Sequence, residues 1–450
     1  IPPGWRRAMN DDRVPNTRTA ELAGLLRQCV QCGLCLPHCA TWLATGDEVH
    51  SPRGRLVLLE ELLNGGGAAS SVCHDSFLQA FDQCIGCRAC ETACPSGVPF
   101  SLLEFGQEQA ANRLPAASPV RPDPALPGMV LRRLDQPGFL AALGKAAGLA
   151  RAVLARVAGR NWRRRLEGRS AGLGRLARLV GSVPSSPASD AALLKMLDEL
   201  CGVEAAPALE PLAVETPTGP IVAWFSGCAN AGLLSATSRR ARVLLKAAGC
   251  RLVDVPGQDC CGALAAHTGR PGRAADLRRR NEEAIGRAVP EDAVVAVEAA
   301  GCGHELKNQV GGLADRVKDV AVLLAGLPLP AMGDTPLKVV YHDPCHARHG
   351  QGIIAEPRRL LAGIPGLTIL EPADKEVCCG SGGAWGLRYP EISAQLARRK
   401  AANLAATGAD LVVTSNPGCL GQIADALLLV APDLPILPLT DLLWYAARRA

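Results

Sequence analysis

The chain has 450 residues, of which 48% are hydrophobic and 20% charged, and its formal net charge is +5. This length predicts about two to four domains with real cores, and so mild a charge does not indicate nucleic-acid binding. We find no window with the roughly 18 uncharged apolar residues of a membrane span and no apolar stretch typical of a signal peptide, so we expect a cytoplasmic protein.

Cysteines set the class of protein. The chain has 19 of them, gathered in tight groups. A secreted disulfide scaffold would be short and cysteine-dense throughout. Grouped thiols in a long chain without an export signal indicate metal ligands in a reducing compartment, in preference to structural disulfides.

Two four-cysteine runs lie near the N-terminus. Their members are Cys29, Cys32, Cys35 and Cys39 in the first run, and Cys84, Cys87, Cys90 and Cys94 in the second. Both follow the C-x2-C-x2-C-x3-C spacing of bacterial two-cluster ferredoxins, in which the fourth cysteine binds the other cluster. We therefore expect one [4Fe–4S] cluster on Cys29, Cys32, Cys35 and Cys94, and a second on Cys84, Cys87, Cys90 and Cys39.

The structural alternative is a pair of zinc sites. Zinc motifs usually pair two cysteine knuckles across a longer gap, whereas here four cysteines crowd into one short run, which disfavours zinc. Gly33 and Gly86 lie within the runs and allow the backbone to approach a cluster closely. We assign residues 1–110 to a two-cluster, ferredoxin-type domain.

Residues 111–215 are expected to form a basic helical linker. It opens with prolines, and between Arg151 and Arg178 it holds nine arginines against one acid, Glu167. The stretch is open to two interpretations. It is either a solvated helix that covers the core, or an amphipathic surface for an anionic membrane or a partner.

The C-terminal half repeats itself. The first unit, residues 216–330, contains Cys228, Cys260, Cys261 and Cys302, and the second, residues 331–450, contains Cys345, Cys378, Cys379 and Cys419. Equivalent cysteines are offset by 117 or 118 positions. Each paired cysteine precedes a glycine, so we call the units Cys-Cys-Gly modules. The recurrence in register favours a metal-binding role over buried apolar packing.

Each module alternates short apolar strands with helical patterns, which predicts parallel βαβ units. The single cysteines follow strands, and the carboxyl ends of parallel strands line one crevice. The four cysteines of a module are therefore expected to converge there. Four histidines lie near them in the sequence, and we expect them to tune a cluster by hydrogen bonding rather than to act as acids or bases: His267, His342, His346 and His349.

Together these features resemble the iron–sulfur subunits of bacterial glycolate oxidases. The most distinctive stretches are 46–55, 84–98, 259–263, 301–303 and 414–419. The wider module is shared with cysteine-rich subunits of heterodisulfide reductase and of anaerobic glycerol-3-phosphate dehydrogenase, and with lactate-utilisation proteins. The resemblance implies an α+β multidomain protein with an N-terminal α-helical two-[4Fe–4S] ferredoxin-like domain, a helical linker and a C-terminal tandem α/β repeat.

The resemblance also implies a role. FAD-binding partner subunits would oxidise glycolate, and this chain would pass the electrons singly to quinone or another respiratory-chain acceptor, without catalytic residues of its own. It would lie in the cytoplasm, or peripherally on the cytoplasmic face of the inner membrane through the basic linker. A further iron–sulfur cluster in the modules is left open.

Two alternatives remain at this point. One is the same role in an anaerobic glycerol-3-phosphate or lactate dehydrogenase. The other is a thiol–disulfide reductase like heterodisulfide reductase, whose module ends in Cys-x-x-Cys. Here Glu305 and Gln422 replace the last of those cysteines, which weakens the expectation of a disulfide-cleaving cluster.

Overall fold

The computed structural model describes residues 16–63, 71–113, 133–158, 162–167, 177–178, 180–204, 212, 218–267, 271–308 and 312–450. Its internal contacts divide the chain into two compact units, Ile1–Pro122 and Asp123–Ala450. The first unit holds both N-terminal cysteine runs. The second holds the segment predicted to be a linker and both Cys-Cys-Gly modules.

The described part of the first unit is helical. Its helices are α1 (Asn16–Leu26), α2 (Ala40–Thr45), α3 (Pro52–Leu63), α4 (Ser71–Asp82), α5 (Ala89–Thr92) and α6 (Ser101–Arg113), with 3-10 turns at Leu36–His38 and Glu48–His50. Their apolar faces share one core, which includes Leu59, Phe81 and Leu102. Gly106 allows α6 to cross α4 closely, because a Cβ atom there would overlap the ring of Phe81.

The helices whose bounds the structure describes before the modules are α7 (Pro137–Ala158), α8 (Trp162–Glu167) and α9 (Asp190–Cys201). The N-cap of α9 is Ser189, whose hydroxyl accepts a hydrogen bond from the Ala192 N–H. Such a cap satisfies one of the free donors at the start of the helix.

The first module is a four-stranded parallel sheet in the order β2-β1-β3-β4. Its elements are β1 (Ile221–Phe225), α10 (Cys228–Leu233), α11 (Ser235–Ala247), β2 (Arg251–Asp254), α12 (Ala263–His267), α13 (Pro271–Ala288), β3 (Val294–Val297), α14 (Ala300–Lys307), β4 (Val317–Asp319) and α15 (Val320–Ala325). The central strands are buried along almost their whole length, as expected where helices cover both faces of a parallel sheet.

The second module repeats this topology with the order β6-β5-β7-β8. Its elements are β5 (Lys338–His342), α16 (Cys345–Gln351), α17 (Ala355–Ala362), β6 (Thr368–Leu370), α18 (Trp385–Arg388), α19 (Pro390–Ala405), β7 (Leu411–Thr414), α20 (Pro417–Val430), β8 (Ile436–Pro438) and α21 (Leu439–Arg448). Even the register recurs, since Val222 pairs with Val294 and Val339 pairs with Leu411. The predicted tandem α/β repeat is confirmed.

One apolar core joins the two modules. Trp224 of β1, Tyr341 of β5 and Leu443 of α21 all belong to it. The last helix also reaches back to the first module through a fully buried ion pair, in which Arg240 Nη1 lies 3.1 Å from Asp441 Oδ1. The two modules therefore pack against each other through a shared core and are not independent domains joined by a linker.

The segment predicted to be a basic linker packs on the modules where it is described. Leu140 of α7 lies in the core of the first module, and Leu193 of α9 lies in the core shared by both modules. Arg163 of α8 forms a buried ion pair with Asp425 of α20, at 2.7 Å between Nε and Oδ1. Several of its arginines thus serve internal packing, which supports the interpretation of helices that cover the core.

One described helix is long and apolar enough to cross a membrane, although no such window was expected from the sequence. It covers Pro137–Val157, and only 11% of its most apolar stretch is buried. Lys145, Arg151 and Arg156 interrupt it, which is why the sequence window was not recognised.

Candidate metal centres

The two N-terminal cysteine runs fold into loops of the same backbone conformation. In the first loop Gln31 and Gly33 flank the second cysteine with φ of 57° and 79°, and in the second loop Gly86 and Arg88 flank it with φ of 74° and 62°. Left-handed residues in such turns direct backbone N–H groups into a concave, anion-binding surface. The loops therefore suit the sulfur atoms of an anionic cluster, and a non-glycine residue held this way costs about 1–2 kcal/mol.

The eight cysteines of these loops are grouped across the two runs. Burial raises the pKa of Cys35 to about 11, and the thiols of Cys39, Cys29 and Cys94 act in the same direction. Burial likewise raises the pKa of Cys90, reinforced by Cys84 and Cys39. Thus Cys94 of the second run lies near thiols of the first, and Cys39 of the first lies near thiols of the second.

Cys39 is accompanied by a buried cation that the sequence analysis did not single out. Arg55, only 1% exposed, donates from Nε to the Ala80 carbonyl at 2.7 Å and from Nη2 to Thr41 Oγ1 at 3.0 Å. Its Nη1 lies 3.9 Å from the Cys39 sulfur. A positive charge at this position stabilises a thiolate or an anionic cluster. The only signal in the sequence was that Arg55 ends one of the family-like stretches.

The first loop also has an exposed face. Cys32 is exposed, and its neighbours Val30 and Leu34 are 68% and 56% exposed. Arg53 borders this face, since its Nη1 donates a hydrogen bond to the Gln31 carbonyl at 3.1 Å. A site that holds ligands in the interior and one at the surface can exchange electrons with a partner that docks there.

In the first module the four cysteines meet at the carboxyl end of the sheet. Cys228 begins α10 after β1, Cys260 and Cys261 follow β2, and Cys302 lies in the first turn of α14 after β3. The sulfurs of Cys228 and Cys260 are 3.4 Å apart, and the thiols of Cys261 and Cys302 are hydrogen-bonded to each other. Hydrogen bonds from Cys228 and Cys261 lower the pKa of Cys260, which favours its thiolate.

The second module places its cysteines at the same positions. Cys345 begins α16, and Cys419 lies in the first turn of α20. The thiols of Cys345 and Cys378 contact each other, as do those of Cys379 and Cys419. The Gly380 N–H also points at the Cys378 sulfur, at 3.4 Å between N and Sγ. Each set has the soft thiolate donors that iron–sulfur clusters and zinc prefer.

A histidine joins the cysteines only in the second module. One ring nitrogen of His342 and the sulfurs of Cys379 and Cys419 all lie within 4.8 Å of one another, and all three residues are buried. Neither ring nitrogen of His342 has a hydrogen-bond partner among the described residues. A buried polar group without a hydrogen-bond partner lowers the free energy of unfolding by about 1–3 kcal/mol. Hydrogen bonding of His342 to a cluster therefore stays a prediction.

The other histidines of the modules are His267, His304, His346 and His349. The ring of His346 lies 5.9 Å from that of His267 and 4.6 Å from that of His304, measured between centroids. His304, which the sequence analysis did not mention, follows Cys302 by two residues, and His346 follows Cys345 by one. The two cysteine sites thus face each other across a layer of imidazoles. His349 instead bonds through Nε2 to the Glu376 carbonyl at 2.8 Å.

Direct contacts also join the two cysteine sites. Asn416 Oδ1 accepts a hydrogen bond from the Gly301 N–H at 3.2 Å, next to Cys302. The Asn416 Nδ2 group donates to the Cys419 sulfur at 3.5 Å. One side chain therefore contacts the backbone of the first site and a sulfur of the second.

Neither position of the missing fifth cysteine is free to bind a metal through another route. Glu305 forms an ion pair with Arg278 at 3.3 Å. Gln422 donates from Nε2 to the Ser393 hydroxyl at 2.8 Å. All eighteen cysteines whose side chains the structure describes are free thiols.

Known protein families match these regions. The family described as "4Fe-4S dicluster domain" matches residues 25–98. The family described as "Cysteine-rich domain" matches residues 222–307 and 339–424. These matches cover the two N-terminal loops and, in each module, the first three strands with the four cysteines.

Two similar proteins are matched over most of their length and a third over about a third of its length. The chain is 31% identical to the "Probable glycolate oxidase iron-sulfur subunit" of Bacillus subtilis, over 89% of this chain and 88% of the relative. It is 26% identical to the "Glycolate oxidase iron-sulfur subunit" of Escherichia coli, over 93% and 94%. It is also 38% identical to one subunit of the CoM/CoB fumarate reductase of Methanothermobacter marburgensis, over 39% and 36%. The chain belongs to the family of glycolate oxidase iron–sulfur subunits.

Proposed function

We propose that this chain is the electron-transfer subunit of a flavin-dependent 2-hydroxy-acid dehydrogenase that oxidises glycolate. The observation that carries the proposal is the pair of interlocked cysteine loops in the first unit, with Cys32 exposed at one end and Cys39 and Cys87 buried. FAD-binding partner subunits would supply the electrons, and this chain alone would not oxidise the substrate.

The ligand sets follow the crossed grouping of the loops. One site is assigned to Cys29, Cys32, Cys35 and Cys94, and the other to Cys84, Cys87, Cys90 and Cys39. When bound, [4Fe–4S] clusters supply one-electron redox chemistry. The chain's own groups then hold the iron, direct N–H donors at sulfur and place the charge of Arg55 next to Cys39.

The cysteines of the modules are proposed as ligands of further metal. In the first module these are Cys228, Cys260, Cys261 and Cys302, and in the second they are Cys345, Cys378, Cys379 and Cys419. The donors of the first module are all sulfur, which suits an additional iron–sulfur cluster. We retain the domain division at residues 1–110, 111–215, 216–330 and 331–450 as part of the proposal, with the middle segment docked on the modules.

A thiol–disulfide reductase is the weaker candidate. It would need the fifth cysteine of each module, and those positions hold Glu305 and Gln422, both engaged with neighbours in their own module. In an anaerobic glycerol-3-phosphate or lactate dehydrogenase, this chain would transfer electrons through the same cysteine sites and would receive them from a different partner. Substrate choice therefore belongs to the flavin-bearing partner.

We propose that this chain lies in the cytoplasm, with peripheral contact at the cytoplasmic face of the inner membrane, where it would deliver electrons to quinone. The second half of α7 supports peripheral contact, since Leu149, Val153 and Val157 are 70%, 49% and 82% exposed along one stripe. Arg156 adds a basic group beside the stripe, which suits an anionic lipid surface. Binding to anionic vesicles that is lost in a Val153→Glu, Val157→Glu variant would support this contact. Equal binding by both proteins would contradict it.

Electron transfer from the partner flavin through this chain to quinone is tested with the assembled complex that carries the Cys87→Ser variant. We expect glycolate still to reduce the partner flavin, while electron delivery to quinone falls to background, because one of the sites for iron is lost. The matched control is Cys201→Ser, since Cys201 is half-buried and lies outside every cysteine motif. Undiminished quinone reduction by Cys87→Ser would refute the proposal.

A further inference from the structure

One difference between the two modules lies at the end of the strand that precedes their first cysteine. The strand before the first cysteine ends at Phe225 in β1 and at His342 in β5. These residues are 117 positions apart, the same offset that relates Cys228 to Cys345. The scaffold therefore accepts a purely apolar ring at this position, and packing alone does not require a histidine.

His342 has the position of a metal ligand. Its side chain is 1% exposed, and one ring nitrogen lies within 4.8 Å of the sulfurs of both Cys379 and Cys419. Both ring nitrogens lack a hydrogen-bond partner among the described residues. Coordination of a metal would satisfy the nitrogen that faces the two sulfurs.

The spacing of the three donors suits a single metal ion. Zinc binds sulfur at about 2.3 Å and nitrogen at about 2.0–2.1 Å, so tetrahedral ligand atoms lie roughly 3.5–3.8 Å from one another. The three donor atoms lie within 4.8 Å of one another, an upper limit about 1 Å above this range. A cluster of four irons would spread its ligands over four corners and hold them farther apart. Cys378 is not one of these three donors, but its thiol contacts that of Cys379, so we take it, in place of Cys345, as the fourth ligand.

We infer that the second module binds one tetrahedral divalent metal ion of the zinc or iron(II) class, through His342, Cys379, Cys419 and Cys378. The first module, with Phe225 in place of the histidine, has sulfur donors only. The two halves of the repeat thus hold different centres. This inference depends on the second module alone and not on electron transfer by the N-terminal loops.

The test uses the full chain, produced in zinc-poor medium with cobalt and 15N-labelled histidine, with its clusters kept oxidised. Cobalt(II) replaces zinc in the same geometry and is paramagnetic. Pulsed EPR then detects an imidazole nitrogen bound to it. We compare the native chain with His342→Phe, His342→Cys and the double variant Phe225→His, His342→Phe.

We expect the native chain to show nitrogen coupling and His342→Phe to lose it, with cobalt affinity reduced by more than about 10-fold. His342→Cys keeps a donor atom, so it should retain cobalt and lose only the nitrogen signal. Circular dichroism of each variant checks that it folds. In the matched gain-of-ligand variant, Phe225→His made together with His342→Phe, any cobalt bound in the first module should show the nitrogen coupling that His342→Phe alone lacks.

Two results would overturn the inference. One is a native chain that binds cobalt without nitrogen coupling, or binds no cobalt or zinc in the second module at all. The other is nitrogen coupling that persists in His342→Phe. Either result would leave the function of the N-terminal clusters untouched, because their proposed ligands are all cysteines.

Discussion

The two Cys-Cys-Gly modules share a topology and a strand register yet differ in the chemistry at their sheet ends. Three replacements account for most of the difference: Phe225 by His342, Ala299 by Asn416 and Glu298 by Ser415. The first module therefore has a sulfur-only site with a buried carboxylate behind it. The second has a nitrogen donor and a bridging amide. The repeat keeps the backbone that brings four cysteines together, while single residues at the strand ends change the donor atoms beside each set.

The largest effect that we expect is the loss of metal from one module without loss from the other. Cys261→Ser should remove the metal of the first module only, and Cys379→Ser that of the second only, because each cysteine contacts thiols of its own module. Metal content per chain, by element, measures both. Iron in the N-terminal loops serves as the internal control. Loss of both module centres from either single variant would show that the sites are one.

A second comparison concerns how each module is held. Asp425 of the second module pairs with Arg163, whose side chain is 1% exposed, whereas the equivalent residue of the first module is Asn308. Arg163→Met should lower the free energy of unfolding by about 3–5 kcal/mol, because it leaves a buried carboxylate unpaired. Anaerobic denaturant titration measures the change.

The control for this prediction is the double variant Arg163→Met, Asp425→Asn. Removing both charges should restore most of the stability, since the penalty comes from the unpaired ion and not from the loss of the pair. A double variant as unstable as the single one would show that packing of α8, and not charge, is lost.

Glu298 gives the first module a pH dependence that Ser415 cannot give the second. Burial raises the pKa of Glu298 to about 7 in the folded chain, against 4.5 ordinarily, despite hydrogen bonds from Thr440 and Ser238. The folded state thus favours the protonated carboxyl. This stabilisation is complete below pH 4.5 and is lost as pH rises to about 7, a decrease of up to about 3 kcal/mol.

Glu298→Gln should therefore flatten the fall of stability between pH 4.5 and 7. Thermal midpoints of both proteins across this range measure the effect. Asp319, whose pKa burial also raises to about 7, should keep a residual slope in the variant. Profiles of equal steepness would mean that Glu298 remains ionised in the fold.

The smallest effect extends the comparison to the N-terminal loops, where Cys39 has a buried cation beside it. Arg55→Gln should lower the potential of the cluster on Cys39 by on the order of 100 mV, because a unit charge about 7 Å away contributes roughly 2 kcal/mol at an effective dielectric constant of 20. Arg55→Lys, which keeps the charge, should shift it less. Redox titration followed by EPR measures this, and equal shifts in the two variants would contradict a charge effect.

Much of the fold and of the cysteine sites could be predicted from the sequence, because both depend on the spacing of the cysteines. The cysteine runs and the constant offset of the repeat predicted the paired sheets and the convergence of cysteines. The role of Arg55 could not be predicted, because it depends on α3 directing a side chain towards a cysteine 16 positions away. The sequence also could not show that the ring nitrogens of His342 lack hydrogen-bond partners among the described residues, because this depends on the folded surroundings of the strand. The ion pair of Arg163 could not be predicted either, because its carboxylate partner, Asp425, is 262 positions away in the chain.

Iron and acid-labile sulfide per chain, measured on anaerobically purified protein with EPR of the reduced state, test the central claim most directly. We expect about eight irons in the N-terminal loops, with the spectrum of two interacting [4Fe–4S] clusters. Metal beyond that number would be assigned to the modules. Little iron with stoichiometric zinc would contradict an electron carrier.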